Sequence, residues 1–168
     1  INVPSLNILA GKQPKDADLL PCLNILSDNF KLACHLLSEY NIQPVFEMIN
    51  GTDMPRFLVQ NIAQAQEMLE AVQHPALKMQ FDCYHMAMMG EDVLSALQEN
   101  IDWIGHIQFA DCPGRHEPDT AQIDYSSIFT WLKKSTYTGY IAAEYKPQSH
   151  SNQSFAWKDK YFSNNNSH

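Results

Sequence analysis

PVFEMINGTDMPRFLVQNIAQAQEMLEAVQHPALKMQFD, residues 44–82, reads as one strand–helix–strand unit, and that reading decides the fold. PVFEM (44–48) is a short apolar run opened by Pro44, which suits the first residue of a strand because no ladder donor is needed there. A helix is predicted over about Pro55–Val72, with Asp53 as its N-cap and Pro55 near the first turn. Phe57, Leu58, Ile62, Ala65, Leu69 and Val72 give it an apolar face. Pro75 marks the exit, and KMQFD (78–82) is the second strand.

The same alternation extends in both directions. Upstream, SLNIL (5–9) is a short strand closed by Ala10 and Gly11. A helix follows over about Leu23–Tyr40, with Phe30, Ala33, Leu36, Leu37 and Tyr40 on one face and Asn41 as its stop. Downstream, a shorter helix starts after Gly90, over Glu91–Leu97, and IGHIQF (104–109) is the fourth strand. The long polar connection Asp111–Asp124 leads to a helix over about Tyr125–Lys134, with Ile128, Trp131 and Leu132 as its inner stripe. YIAAE (140–144) is the fifth strand, and the polar tail ending NNNSH is expected to fray. Five strands separated by helices predict an α/β fold of parallel βα repeats. No linker or composition break divides residues 1–168, so one domain is expected. An open doubly wound sheet and part of a barrel both fit this periodicity.

Composition narrows the function classes. The chain is 45% hydrophobic, which excludes global disorder, but 168 residues are short for a closed eight-stranded α/β barrel of about 250. Eleven basic against nineteen acidic side chains give a net charge of −8, so no nucleic-acid partner is expected. No apolar run is long enough to predict a membrane span. Cys22, Cys34, Cys83 and Cys112 form no CxxC pair and no secreted disulfide framework. No signal-peptide pattern follows Ile1, and a cytoplasmic location is expected. There is no Gly-rich phosphate loop or serine nucleophile elbow.

Chemistry enters through placement. Glu47, Asp82, Gln108 and Glu144 each lie at or near the C-terminal end of a predicted strand, embedded in apolar sequence. Parallel neighbours bring these ends to the same side, so the four groups can converge on one mouth. Three carboxylates brought together repel, and their desolvation is costly. A divalent cation offsets both, and carboxylate and carboxamide oxygens are hard ligands suited to Mg2+ or Mn2+. Zinc competes only because His85 and His106 are near in sequence. Taken singly, each group could instead cap a helix or bond a loop; recurrence on four strands argues for a shared site. His85, three residues after Asp82, could reach over the mouth to a substrate oxygen, or lie in a surface loop. Arg115, in CPGRHEP (112–118), offers a fork for a carboxylate or hydroxyl. His116 and Glu117 could enter the same pocket. Asn50 and Asp53 could line it, although Asp53 is better explained as a helix cap. His106 shares a strand face with Gln108 and is expected in a lower layer. Lys146 binds an anion or faces solvent.

At these strand ends the sequence resembles hydroxypyruvate isomerases of the xylose-isomerase-like barrel superfamily. NILAG (7–11), FEMIN (46–50), FDCYH (81–85), HIQFADCPGRHEP (106–118) and GYIAAEYKP (139–147) carry the resemblance across nearly the whole chain. It implies a partial TIM (β/α)8 barrel, whose five strands match the C-terminal part, with roughly three preceding βα units lacking. It implies a metal set of Glu47, Asp82, Gln108 and Glu144, with Glu47 and Glu144 also exchanging protons with substrate, and with His85 and Arg115 contacting substrate. Gln108 favours the hydroxypyruvate-isomerase branch over relatives with histidine there. The implied reaction interconverts hydroxypyruvate, a small hydroxycarbonyl acid, and 2-hydroxy-3-oxopropanoate. A ketose 3-epimerase and a catalytically silent interaction domain are the alternatives. The open sides of a partial barrel imply a homo-oligomer or a missing barrel half as partner.

Overall fold

A computed structural model describes residues 3–163 of the chain. Five strands, β1 (Ser5–Asn7), β2 (Gln43–Glu47), β3 (Lys78–Asp82), β4 (Ile104–Phe109) and β5 (Ile141–Ala143), form one sheet in the order β1-β2-β3-β4-β5. Every neighbouring pair is parallel. Sequential order with helical crossovers curls the sheet into a half-barrel. Pro44 is the second residue of β2, and costs no bond because pairing with β3 begins one residue later, at Val45↔Lys78.

The two sheet faces divide the residues cleanly. Phe46, Met79, Phe81, Ile107 and Phe109 point outward into the main core beneath the helices. Glu47, Gln80, Asp82 and Gln108 occupy the other, concave face. One irregularity sets this parity. Met79 pairs with Ile104 but Gln80 pairs with His106, so Gly105 is an extra residue on β4. A β-carbon there would lie 2.9 Å from Lys78 Cβ and 2.9 Å from Val45 Cγ1, which only glycine avoids. Beyond the bulge, Asp82 stands beside Gln108.

The helices pack on the convex side, and several differ from their sequence expectation. Helix α1 runs Leu19–Ser38, four residues earlier than expected. It buries Leu26, Phe30 and Cys34, whereas Leu36 and Tyr40 are exposed. Phe30 packs on Phe46 with ring centroids 5.0 Å apart. The helix ends at Ser38, earlier than the expected stop at Asn41, which lies in the following turn in the left-handed conformation at φ 55°. Helix α2 is shorter than expected, Ile62–Val72, and is capped by Asn61, whose side chain accepts from Gln64 N at 3.0 Å. Asp53 is therefore not its cap. Residues 51–60 form turns that bury Phe57, Leu58 and Val59. Helix α3, Cys83–Met88, has no counterpart in the sequence expectation: it starts directly at the end of β3. Helix α4 covers Val93–Asn100 and α5 covers Tyr125–Leu132, capped by Asp92 and Asp124. Phe129, rather than Trp131, completes the buried stripe of α5. The tail forms helix α6, Ala156–Phe162, whose Tyr161 and Phe162 rings pack on Phe129. NNNSH lies outside the described residues.

Candidate active site

At the C-terminal mouth of the half-barrel lies an open cleft of about 320 Å3 lined by Glu47, His85, Gln108, Arg115 and Glu144, with Asn7, Asp53 and Gln80. Asp82 forms its floor, with no solvent exposure. All six residues singled out from sequence are thus brought to one place. His116 and Glu117 are not: His116 Nδ1 bonds the carbonyl of Lys146, and Glu117 accepts from Gln148 N, so both tie loop to loop.

Each buried acid has one oxygen fastened and one turned toward a common centre. Glu47 Oε2 accepts from Asn7 Nδ2 at 3.0 Å and Gln80 Nε2 at 2.9 Å. Asp82 Oδ1 caps α3 through Tyr84 N at 2.9 Å, so the helix-cap role and a site role coexist in one side chain. The remaining oxygens, Glu47 Oε1 and Asp82 Oδ2, both lie 3.8 Å from His85 Nε2. Gln80 also donates to Gln108 Oε1 at 2.7 Å, orienting that oxygen. Asn7 and Gln80 escape a reading of the sequence. Gln80 carries a signal, because it precedes Asp82 by two residues and so shares its face; Asn7 sits on a strand too short to show alternation.

Arg115 closes the mouth. Its Nη2 lies 2.9 Å from Glu144 Oε2 and 3.3 Å from Asp82 Oδ2, and its guanidinium stacks 5.0 Å from the Tyr84 ring centroid. Among the described residues only Nη2 is engaged, which leaves Nε and Nη1 as donors. The loop that presents Arg115 is built around Asp111. That carboxylate accepts from the backbone N–H groups of Cys112, Thr120, Ala121 and Ile123 at 2.8–3.0 Å. Arg115 itself takes a left-handed conformation, φ 57°, after Gly114 at φ 104°. Asp53 belongs to the mouth, accepting from Asn50 Nδ2 at 3.0 Å and the Tyr84 hydroxyl at 2.9 Å. His106 is half-buried one layer below, opposite Gln80.

The electrostatics follow from burial. Desolvation, reinforced by the Asp82 charge, pushes the Glu47 carboxyl up to about 7. Desolvation pushes Asp82 up to about 6, with the Arg115 guanidinium pulling the other way. His85 is driven down to about 4 by burial and by Arg115, so its ring is neutral at pH 7. Two buried acids with partial charge compensation suit a cation. The donors facing the centre are carboxylate and carboxamide oxygens, and the nearest nitrogen belongs to His85. Ligand atoms of Glu47, Asp82 and His85 lie within 4.8 Å of one another, a spacing that fits an ion. The oxygen-rich set fits a hard divalent cation.

A parallel βα half-barrel with acids gathered at its C-terminal mouth defines the TIM-barrel class. Residues 1–161 match the family described as xylose isomerase-like TIM barrel, and the chain belongs to that family. It is 34% identical over 156 residues to the hydroxypyruvate isomerase of Escherichia coli K12, covering 93% of this chain and 60% of that protein. It is 33% identical over 156 residues to the 2-oxo-tetronate isomerase of Cupriavidus necator, with the same coverage. The chain therefore spans about 60% of the length of these curated relatives. Among solved structures, it superposes on AP endonuclease, family 2, from Brucella melitensis with a TM-score of 0.89 at 26% identity, covering 94% of this chain and 61% of that one. It superposes on 3-keto-D-glucoside 4-epimerase from E. coli with a TM-score of 0.76 at 21% identity, covering 88% and 57%, a likeness of fold alone.

Proposed function

We propose that the protein acts as an isomerase that interconverts hydroxypyruvate and 2-hydroxy-3-oxopropanoate. The observation that carries this reading is the meeting of Glu47, Asp82, Gln108, Glu144, His85 and Arg115 around one small cleft, in a chain similar to a hydroxypyruvate isomerase and a 2-oxo-tetronate isomerase. Such a reaction must take a proton from carbon beside a carbonyl and return one to the neighbouring carbon. Glu47 suits the first of these steps, because its carboxylate lines the cleft with Oε1 turned toward the centre beside His85. Glu144, half exposed across the mouth, delivers the proton at the adjacent carbon, and the roles exchange with direction. Arg115 holds the substrate carboxylate through a guanidinium donor that the protein leaves free, and Tyr84 keeps the guanidinium plane in place. His85 serves a substrate oxygen. Glu47, Asp82, Gln108 and Glu144 would hold Mg2+ or Mn2+. When bound, the cation supplies Lewis-acid polarisation of a substrate carbonyl. Four free cysteine thiols accord with a cytoplasmic setting.

The guanidinium at the mouth favours an acid over a neutral ketose, which sets a 3-epimerase second. Purified protein is to be assayed with hydroxypyruvate and with 2-oxo-tetronate, with added Mg2+ or Mn2+ and after chelation, alongside a mass measurement. Turnover that is lost on chelation is expected, from an assembled form. Glu47→Gln and Glu144→Gln are each expected to lower kcat by at least about 100-fold with the circular dichroism spectrum retained. Undiminished turnover in either variant rejects its proton-transfer role. Absence of turnover in an assembled, metal-loaded form supports the silent interaction domain instead.

A further inference from the structure

Asn50 is fully buried beside His85, outside both the proposed proton-transfer pair and the proposed cation ligands. Its neighbours leave no freedom in how its carboxamide is oriented. Oδ1 accepts from the backbone N–H groups of Thr52 at 3.1 Å and Asp53 at 2.8 Å, so that end must be the oxygen. Nδ2 donates to Asp53 Oδ2 at 3.0 Å, an acceptor that also receives the Tyr84 hydroxyl. The other Nδ2 hydrogen meets His85 Nδ1 at 2.7 Å. An amide nitrogen has no lone pair to offer, so His85 Nδ1 is the acceptor in this bond. A neutral imidazole that accepts at Nδ1 carries its proton on Nε2.

Nε2 is the ring atom that faces the acids, 3.8 Å from both Glu47 Oε1 and Asp82 Oδ2. That separation exceeds a hydrogen bond, so Nε2–H is not given to either acid. We propose that Asn50 is a positioning residue that holds His85 in its Nε2–H form, so that the ring enters the cleft as a hydrogen-bond donor and not as a cation ligand. The Glu47–Asp82–His85 triangle then has the spacing of a three-ligand metal centre without its chemistry, because a protonated nitrogen cannot coordinate. Any ion there must take oxygen ligands, which selects against zinc and for hard cations. The identity of the oxygen served by Nε2–H rests on the isomerase reading; the tautomer does not.

Long-range 1H–15N correlation spectra of the uniformly labelled chain test this, with His85 assigned by its loss in His85→Gln. The expected wild-type spectrum shows Nε2 protonated and Nδ1 bare, unchanged by saturating Mg2+. Asn50→Asp replaces the donor by an oxygen, and the proton is expected to appear on Nδ1. A wild-type Nδ1–H, a Mg2+-induced loss of the Nε2 proton, or an Asn50→Asp protein whose Nδ1 stays bare would each overturn the proposal. If Asn50→Asp does not fold, the wild-type spectra with and without Mg2+ decide alone. A chain without turnover but with the expected tautomer would defeat the isomerase reading and leave this one standing.

Discussion

At the residue scale, Glu47 and His85 are neighbours whose burial acts in opposite directions. The folded carboxyl of Glu47 holds its proton up to about pH 7, whereas in the unfolded chain it ionises near its ordinary 4.5. The unfolded state therefore binds fewer protons between these values, and this group's contribution to stability is present below pH 4.5 and lost as pH rises through 7. Asp82 behaves likewise between 3.8 and about 6. His85 does the reverse: its folded pKa of about 4 lies below 6.5, so its contribution is present above pH 6.5 and lost as pH falls through 4. Wild-type stability thus shows only the difference between opposing slopes. Glu47→Gln isolates one of them. In metal-free buffer the stability of this variant relative to wild type is expected to grow by on the order of 1 to 3 kcal/mol between pH 4.5 and pH 7. Urea denaturation at several pH values measures it, and a pH-independent difference would contradict the burial account.

At the scale of elements, the bulge in β4 decides which residues reach the mouth. Gly105 shifts the strand by one residue, and Gln108 thereby lies beside Asp82 on the concave face. Gly105→Ala places a methyl group 2.9 Å from two neighbouring side chains, on strands that are themselves ladder-bonded. A loss of about 1 to 3 kcal/mol is expected in thermal or urea unfolding, with the site disturbed through Gln108. The strands β3 and β4 are legible from sequence to the residue, since each is a short run that places apolar side chains on one face and polar ones on the other. Helix ends are less legible. Asp53 offers a plausible capping pattern ahead of Pro55, but its carboxylate is taken by Asn50 and Tyr84, and Asn61 caps the helix instead. Tertiary bonding overrides local propensity there. The convergence of Glu47, Asp82, Gln108 and Glu144 is legible because parallel strands share a direction; the roles of Asn7 and Asn50 are not, since they depend on partners 40 and 35 residues away.

At the scale of the whole molecule, the half-barrel leaves β1 and β5 unpaired on their outer sides among the described residues. Helix α1 packs against α2 on one flank and exposes Ile25, Leu32 and Leu36 on the other, with Tyr40 exposed just beyond its end. An exposed apolar stripe and a free strand edge each favour association. Sedimentation velocity is expected to show concentration-dependent oligomers of the chain, and Leu32→Glu with Leu36→Lys to shift the population toward monomer while the fold is kept. A wild type that remains monomeric at high concentration would remove this surface from consideration. The Asp111 loop stands in contrast to those open margins. Four of its amides end on one buried carboxylate, so hydrogen exchange at Cys112, Thr120, Ala121 and Ile123 is expected to be slower than in an unbonded loop. The segment that carries Arg115 is thereby tied down before any anion arrives, so docking demands little further ordering of its seat.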